Sequence, residues 1–262
     1  MTMAIPTHLS FPPGILAENA LRLAVLYKAA GAIAVEKCAG IAEIGSAFRA
    51  QIAQGKPSAC ALGLTRPQLV FSPETEISGI QIYADKDSDA LNVWKNTLGS
   101  SLFEFRYVFL TRPLPDVSRE PEFICDLPVA RHHSKPVALV SNTTGKKSET
   151  VFRRLEKFAE FELWEARTHF PRYHQIRLHA QECGLPIVGD ALYGGIPAIS
   201  VAELRPKKRL NKGEDKALYA SICLHLSSIR LDTAIPGIDK CTICAPLPNG
   251  LETLLKKLRT RI

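Results

Sequence analysis

Long apolar runs are missing from this chain. No stretch approaches the roughly 18 consecutive apolar residues of a membrane-spanning helix. The opening "MTMAIPTHLSFPPG" lacks the charged-then-apolar layout of a secretory leader, and Pro12 and Pro13 interrupt it. Three nucleotide and metalloprotease signatures are also absent: GxGxxG, the P-loop and HExxH. Cysteines are present but unpaired in pattern. Their number, seven, is odd, and Cys38, Cys60, Cys125, Cys183, Cys223, Cys241 and Cys244 are scattered. Only Cys241 and Cys244 form a CxxC, with neither a second CxxC nor a nearby histidine pair to complete a zinc site. His132 and His133 adjoin in a loop, whereas His169, His174 and His179 recur every five residues, which scatters them around a helix. These absences predict a soluble, cytoplasmic protein with reduced thiols and no metal. No internal repeat is visible.

What is present suits a folded enzyme or binding protein. The 262 residues are 46% hydrophobic with a mean hydropathy of zero, ample for one large domain or two small ones. The net charge is +7 and the isoelectric point is about 9.1, which favours polyanionic partners. The charge is concentrated. "RPKKRLNKGEDK" (205–216) carries Arg205, Lys207, Lys208, Arg209, Lys212 and Lys216, and "GKKSETVFRRLEK" (145–157) is a second cluster. Each is open to two readings, a phosphate-contacting surface or a solvated loop.

Periodicity gives the elements. Residues 1–21 read as a loosely structured lead-in, and "LAVLYKAAGAIAVEK" (23–37) as two strands around a turn at Ala29–Gly31, with Val25, Ile33 and Val35 buried. "AGIAEIGSAFRAQIAQGKPS" predicts a short helix and a loop. "QLVFS" and "GIQIYAD" predict strands on either side of "PETEIS". In "DKDSDALNVWKNTLGS" a helix is expected, with Asp85 as its N-cap, Leu91, Trp94 and Leu98 on one face, and Gly99 as its stop. "LFEFRYVFL" (102–110) alternates aromatic and branched residues as a strand does. Prolines at 113, 115, 121, 128 and 136 make the next stretch a long connection with little room for helix. "ETVFRRLEKFAEFELWEART" predicts two strands, "RYHQIRLHAQECG" a helix ending at Gly184, and "LYASICLHLSSIRL" and "KCTICAPLP" two more strands. The closing "LETLLKKLRTRI" predicts an amphipathic helix with Leu251, Leu254, Leu255 and Leu258 as its stripe. Many strands with a few scattered helices indicate an α+β fold with a largely antiparallel or mixed sheet.

The most informative segment is "RYHQIRLHAQECGLPIVGDALYGG" (172–195). Helical spacing sets His174, Arg177 and Gln181 near one face, ahead of a glycine-rich turn. That is either the wall of a site or a hydrated helix side. The segment resembles the helix motif of the RluA-like pseudouridine synthase family, GRTHQIRxHxxxxGxPIxGDxxYG. The resemblance extends from about residue 22: "VLYKAAGAIAVEKCAGI" is similar to the opening hairpin, usually ending Lys-Pro-Ala-Gly, and "LFEFRYVFL" to the strand that supplies a tyrosine.

The resemblance implies a bisected, mixed, largely antiparallel sheet with flanking helices and a central RNA cleft. It places a single domain over 22–262 after the 1–21 lead-in, with no room for an S4 RNA-binding module. It implies a synthase that isomerises uridine to pseudouridine in structured RNA, ribosomal or transfer, acting as a monomer without any cofactor. The family's nucleophile loop, His-Arg-Leu-Asp-x-x-Thr-Ser-Gly, aligns on Ser78-Gly79 without a gap. Glu74 then stands at the essential aspartate and Ser72 at an arginine that helps extrude the base. By resemblance the catalytic set is Glu74, Tyr107 and Arg177, sharing one site. Arg172, His174, Gln175, Lys207, Lys208 and Arg209 would contact RNA. The added methylene of Glu74 shifts the carboxylate by more than about 1 Å, which can cost on the order of 100-fold in rate. Weak or absent catalysis is therefore expected, with a non-catalytic RNA-binding protein or RNA chaperone as the alternative.

Overall fold

Alternating apolar residues over 21–37 produce the hairpin on which the first part of the chain is built. The computed structural model describes residues 7–29, 31–115, 120–194, 196–204, 215–232 and 234–260. They gather into two units, Met1–Glu104 with Leu226–Pro246 and Phe105–His225 with Leu247–Ile262. In the first unit, β1 (His8–Phe11), β2 (Leu21–Ala29), β3 (Ala32–Lys37), β4 (Pro67–Phe71) and β5 (Gly79–Asp85) form an antiparallel sheet in the order β1-β2-β3-β5-β4. The inner strands β3 and β5 are buried along nearly their whole length, as strands covered on both faces must be. Leu9, Phe11, Leu23, Ile33, Val35 and Tyr83 pack with Phe48 of α1 (Gly45–Ala53) into one core. A short α2 (Pro57–Cys60) follows. In α3 (Ala90–Leu98), Trp94 stacks on Phe103 at 5.7 Å and meets Tyr27 edge-on at 6.0 Å.

The second unit is organised around β6 (Phe103–Thr111), which enters it at Phe105. Beyond it come β7 (Glu122–Cys125), β8 (Val129–Arg131), β9 (Ala138–Val140), β10 (Thr150–Lys157) and β11 (Glu162–Thr168). Antiparallel ladders join β6 to β11, β11 to β10 and β10 to β7, and β8 pairs with β9. The helices α4 (Gln175–Glu182) and α5 (Val201–Leu204) follow. Strand β12 (Leu224–Leu231) leads back to the first unit, where it pairs with β13 (Cys241–Cys244), and α6 (Asn249–Arg259) closes the second unit. Leu251, Leu254, Leu255 and Leu258 of α6 bury their stripe against Leu110, Phe158, Phe161, Leu163 and Val188. No helix among the described residues is long and apolar enough to cross a membrane.

The α+β expectation and its antiparallel ladders are observed; three local expectations change. The lead-in contains β1, paired with β2 from His8↔Ala24 to Phe11↔Leu21, because Leu9 and Phe11 reach the core. Asp85 is not a helix cap. It still belongs to β5, and its carboxylate accepts from Thr65 N at 2.7 Å, Thr65 Oγ1 at 2.8 Å and Arg66 N at 3.3 Å. Those bonds hold its carboxyl below the ordinary aspartate range against the opposing effect of burial. Asp89 precedes α3 instead. Finally, the proline-rich connection contributes β7 and β8, since the proline-free "EFIC" and "VAR" find pairing partners.

Candidate active site

The first unit carries Glu74, half-buried on the loop between β4 and β5. What fixes this loop lies beneath it. Lys37 ends β3 with its side chain buried, and its Nζ donates to the carbonyls of Ile77 at 2.5 Å, Thr75 at 3.1 Å and Cys38 at 3.3 Å. Three donors thus meet three backbone acceptors, the full capacity of an ammonium group. Burial lowers the Lys37 pKa to about 8, opposed by the charges of Glu74, Cys38 and Glu76. Gly40 N adds a 2.7 Å bond to the Thr75 carbonyl, and Ile77 N closes a turn on the Glu74 carbonyl at 3.2 Å. Gly79 closes the loop at φ +145, where a Cβ would stand 2.5 Å from Leu226 Cβ.

Ser72 is built into this framework. Its Oγ donates toward the carbonyls of Pro73 (2.8 Å) and Ala42 (3.3 Å) and accepts from Gln81 Nε2 at 3.1 Å. Gln81 Nε2 also reaches the Ala42 carbonyl at 2.7 Å. Gln81 Oε1 accepts from the Tyr83 hydroxyl, which accepts from Ile44 N, both at 2.9 Å. The position where the family resemblance calls for an arginine is therefore occupied by a short side chain that ties the loop to its own sheet.

The second unit carries Tyr107 and Arg177. Tyr107 is buried on β6 opposite Ala166, on the same strand face as Phe105 and Phe109. Arg177 is buried on α4 and forms a two-pronged pair with Asp190, Nε to Oδ2 at 2.7 Å and Nη2 to Oδ1 at 2.8 Å. The Leu192 and Tyr193 amides also donate to Asp190 Oδ1, at 3.1 and 3.2 Å. His174 precedes the helix in the left-handed conformation, φ 54 and ψ 16, the one non-glycine residue so placed among those described. Side-chain contacts hold it there: its ring stacks on Tyr173 at 3.8 Å, Nε2 lies 3.2 Å from Arg177 Nη1, and Nδ1 lies 3.0 Å from the Tyr193 hydroxyl. Arginine only donates, so Nε2 is the acceptor and the His174 proton is on Nδ1. The Tyr193 hydroxyl accepts that proton and the Ala138 amide (2.6 Å) and faces the Ala138 carbonyl at 3.3 Å. Gly194, φ +94, lets the chain turn within 2.4 Å, measured from its ideal Cβ, of Pro186. Arg177 is thus a fixed cation whose orientation is set by Asp190 and His174.

The RNA-contact expectations divide. Gln175 is buried, with Nε2 donating to Glu149 O (2.9 Å), Thr150 Oγ1 (3.0 Å) and Thr168 Oγ1 (3.2 Å), and Oε1 accepting from Arg172 N at 3.0 Å. It is a clamp within the unit, because its polar atoms are already engaged. His174 is buried in the same way. Arg172 remains half-exposed, and its Nε donates to the Lys147 carbonyl at 3.1 Å, which gathers Arg172 with the exposed Lys146 and Lys147. Arg131 adds a fourth cation over the Tyr173 ring, 4.1 Å from its centroid. By contrast, Arg153 and Arg154 in the same sequence cluster pair with Glu165 and Glu162. Lys207, Lys208 and Arg209 lie outside the described residues. Sequence reasoning passed over Lys37 and Asp190 as site residues. Each had a signal: a lysine ending an apolar strand, and a carboxylate inside an apolar, glycine-bounded turn.

No family model matches the chain. Over 138 residues it is 34% identical to ribosomal large subunit pseudouridine synthase D of Haemophilus ducreyi, a match covering 52% of this chain and 40% of that protein. The chain is similar in sequence to RluA-type pseudouridine synthases. A second synthase of this group, the uncharacterized RNA pseudouridine synthase YlyB of Bacillus subtilis, is 27% identical over 197 residues, covering 75% of this chain and 57% of that protein. The chain therefore spans about half the length of these curated relatives. The pseudouridine synthase fold is seen directly in the structure of human RNA pseudouridylate synthase domain containing 4, which matches with a TM-score of 0.67 at 18% identity, over 90% of this chain and 92% of that one.

Proposed function

We propose that residues 22–262 act as one RNA-directed pseudouridine synthase domain of low catalytic power. The observation that carries this reading is Arg177 on α4, held by the Asp190 carboxylate and by His174 inside the segment that resembles the family's helix motif. Such a preset cation is suited to keeping a nearby carboxylate ionised and oriented without reorganisation. The reaction breaks the N-glycosidic bond of a uridine and rejoins the base through C5. In this reading Glu74 is the carboxylate that attacks the sugar or removes its proton, Tyr107 assists loss of the C5 proton, and Arg177 supplies the fixed cation of the reaction. The relatives' names make large-subunit ribosomal RNA the first substrate to try. Arg172, Lys146, Lys147 and Arg131 are a group of described cations available to phosphates.

The low power follows from the loop. Glu74 adds a methylene to the family's aspartate, and Ser72, hydrogen-bonded to Ala42, Pro73 and Gln81, offers no long cation to assist base extrusion. That second observation favours RNA binding without turnover as the alternative. Tritium release from C5-labelled uridine in ribosomal RNA tests the reading. Glu74→Asp should release tritium faster than the natural chain by about 100-fold, the scale of a 1 Å correction. Glu74→Gln should abolish release. RNA binding without release from either the natural chain or Glu74→Asp would support the alternative. Release unaffected by Glu74→Gln would remove Glu74 from the site.

A further inference from the structure

A side-chain cluster in the second unit has no part in the proposed reaction. Cys125 ends β7 and is buried, paired directly across the ladder from Thr150 of β10. Residues opposed in this way project from the same sheet face. On that face, Thr150 Oγ1 lies 2.9 Å from His179 Nδ1 of α4, and His179 Nε2 donates to the Leu127 carbonyl at 2.8 Å, two residues beyond Cys125. Helix α4 therefore lies against the end of β7 through His179. One turn further on, at the spacing that shares a helix face, is Cys183, half-exposed at the helix C-terminus. The Cys125 thiol neighbours both Cys183 and His179. Two thiols in mutual contact, one accessible and one sheltered, are what a reversible disulfide needs. Cys223 of the same unit is buried with desolvation pushing its thiol up to about 12, and Cys60 of the first unit is exposed.

We propose that Cys125 and Cys183 form a peroxide-responsive thiol pair that closes to a disulfide and fastens the end of α4 to β7. The half-exposed Cys183 sulfur attacks a peroxide oxygen, its proton passing to Cys125. The O–O bond breaks, Cys183 becomes the sulfenic acid, and the departing hydroxide takes up the proton now on Cys125 to leave as water. The Cys125 thiolate then attacks the Cys183 sulfur and expels hydroxide, which leaves as a second water after taking a proton from solvent; the proton that Cys125 gave to solvent when it ionised balances it. The sum is two thiols and one hydrogen peroxide giving one disulfide and two waters. The hydrogen bond from Cys183, with His179 close by, holds the Cys125 thiol well below the ordinary range against the opposing effect of burial, so the resolving thiolate is available at neutral pH. The proposal concerns this unit's thiols and stands whether or not the chain makes pseudouridine.

The test uses the full chain with hydrogen peroxide at equimolar amounts. Remaining thiols are blocked with N-ethylmaleimide under denaturing conditions, and unreduced digests are read by mass spectrometry. The expected result is loss of two of the seven thiols, with a peptide linking Cys125 to Cys183 that dithiothreitol cleaves. In Cys125→Ser, the Cys183 sulfenic acid should persist and be trapped by dimedone. In Cys183→Ser, Cys125 should stay a thiol because it is sheltered. Far-ultraviolet circular dichroism of each variant identifies any that fail to fold, and Cys125→Ala and Cys183→Ala then replace them. Recovery of both cysteines as thiols at peroxide concentrations that oxidise the exposed Cys60 would overturn the proposal. So would a linked peptide joining either residue to a different cysteine.

Discussion

The loop bearing Glu74 and the segment bearing Arg177 are held in opposite ways. Loop 72–78 is fixed largely through its backbone: Lys37 binds the carbonyls of Thr75 and Ile77, and Gly40 N also binds Thr75. Segment 172–194 is fixed through named side chains, with Arg177 on Asp190, His174 on Tyr173 and Tyr193, and Gln175 on Thr150 and Thr168. Every residue has a carbonyl, so where the loop is anchored by its backbone, as at positions 74–77, it can exchange Asp for Glu and keep its path. A segment anchored by side chains cannot, because each exchange removes a partner. That difference explains why segment 172–195 keeps the family's motif while the loop departs from it.

The comparison can be broken most directly at Arg177. Arg177→Met leaves the buried Asp190 carboxylate without its cation, and urea unfolding should show a loss of about 3–5 kcal/mol. Replacing both partners, Arg177→Met with Asp190→Leu, should recover much of it, since no buried charge then stands alone. A loss below about 1 kcal/mol for the single variant would mean that the segment does not depend on this pair.

Lys37→Met should cost less, about 1–3 kcal/mol, for the carbonyls it strands, and it has its own pH signature. The folded pKa of Lys37, about 8, lies below its ordinary 10.5. Between those values the unfolded lysine still binds a proton that the folded one has released. Stability therefore rises with pH across that window and is lowest below pH 8, where both states are protonated. Unfolding at pH 8, 9 and 10 should show this rise in the natural chain relative to Lys37→Met. Parallel pH profiles would show that Lys37 is not a buried anchor.

The smallest effect sharpens the contrast. Thr75 contributes its carbonyl to Lys37 and Gly40, and the residue itself is exposed. Thr75→Ala should change stability by no more than about 0.5 kcal/mol. A loss several times larger would show that the loop, too, relies on side chains.

Local order was legible wherever a short-range pattern decides it. The alternation of "AIAVEK" gave β3, the leucine spacing of 251–258 gave the stripe of α6, and Gly184 marked the end of α4. Elements that form only with a distant partner were harder to read. Strand β1 was hidden because "HLSF" becomes a strand by pairing with β2, and β7 and β8 because prolines flank them. At the candidate site, Glu74, Tyr107 and Arg177 were named through resemblance. Gln175 was named as an RNA contact through resemblance, and helical spacing does not reveal the threonines its amide meets.

By itself, the sequence determined the α+β pattern, the basic balance and the identity of the side chains available for chemistry, all of which are properties of composition and near-neighbour spacing. The tertiary structure alone decided which of those groups are committed elsewhere. It spends the donors of Lys37 on a loop, pairs Arg177 with Asp190 and brings Cys125 against Cys183 and His179 across 58 positions of chain. The physical reason is burial. A polar group taken out of water must find its partner within about 3 Å, and only the folded chain sets which residues lie at that distance.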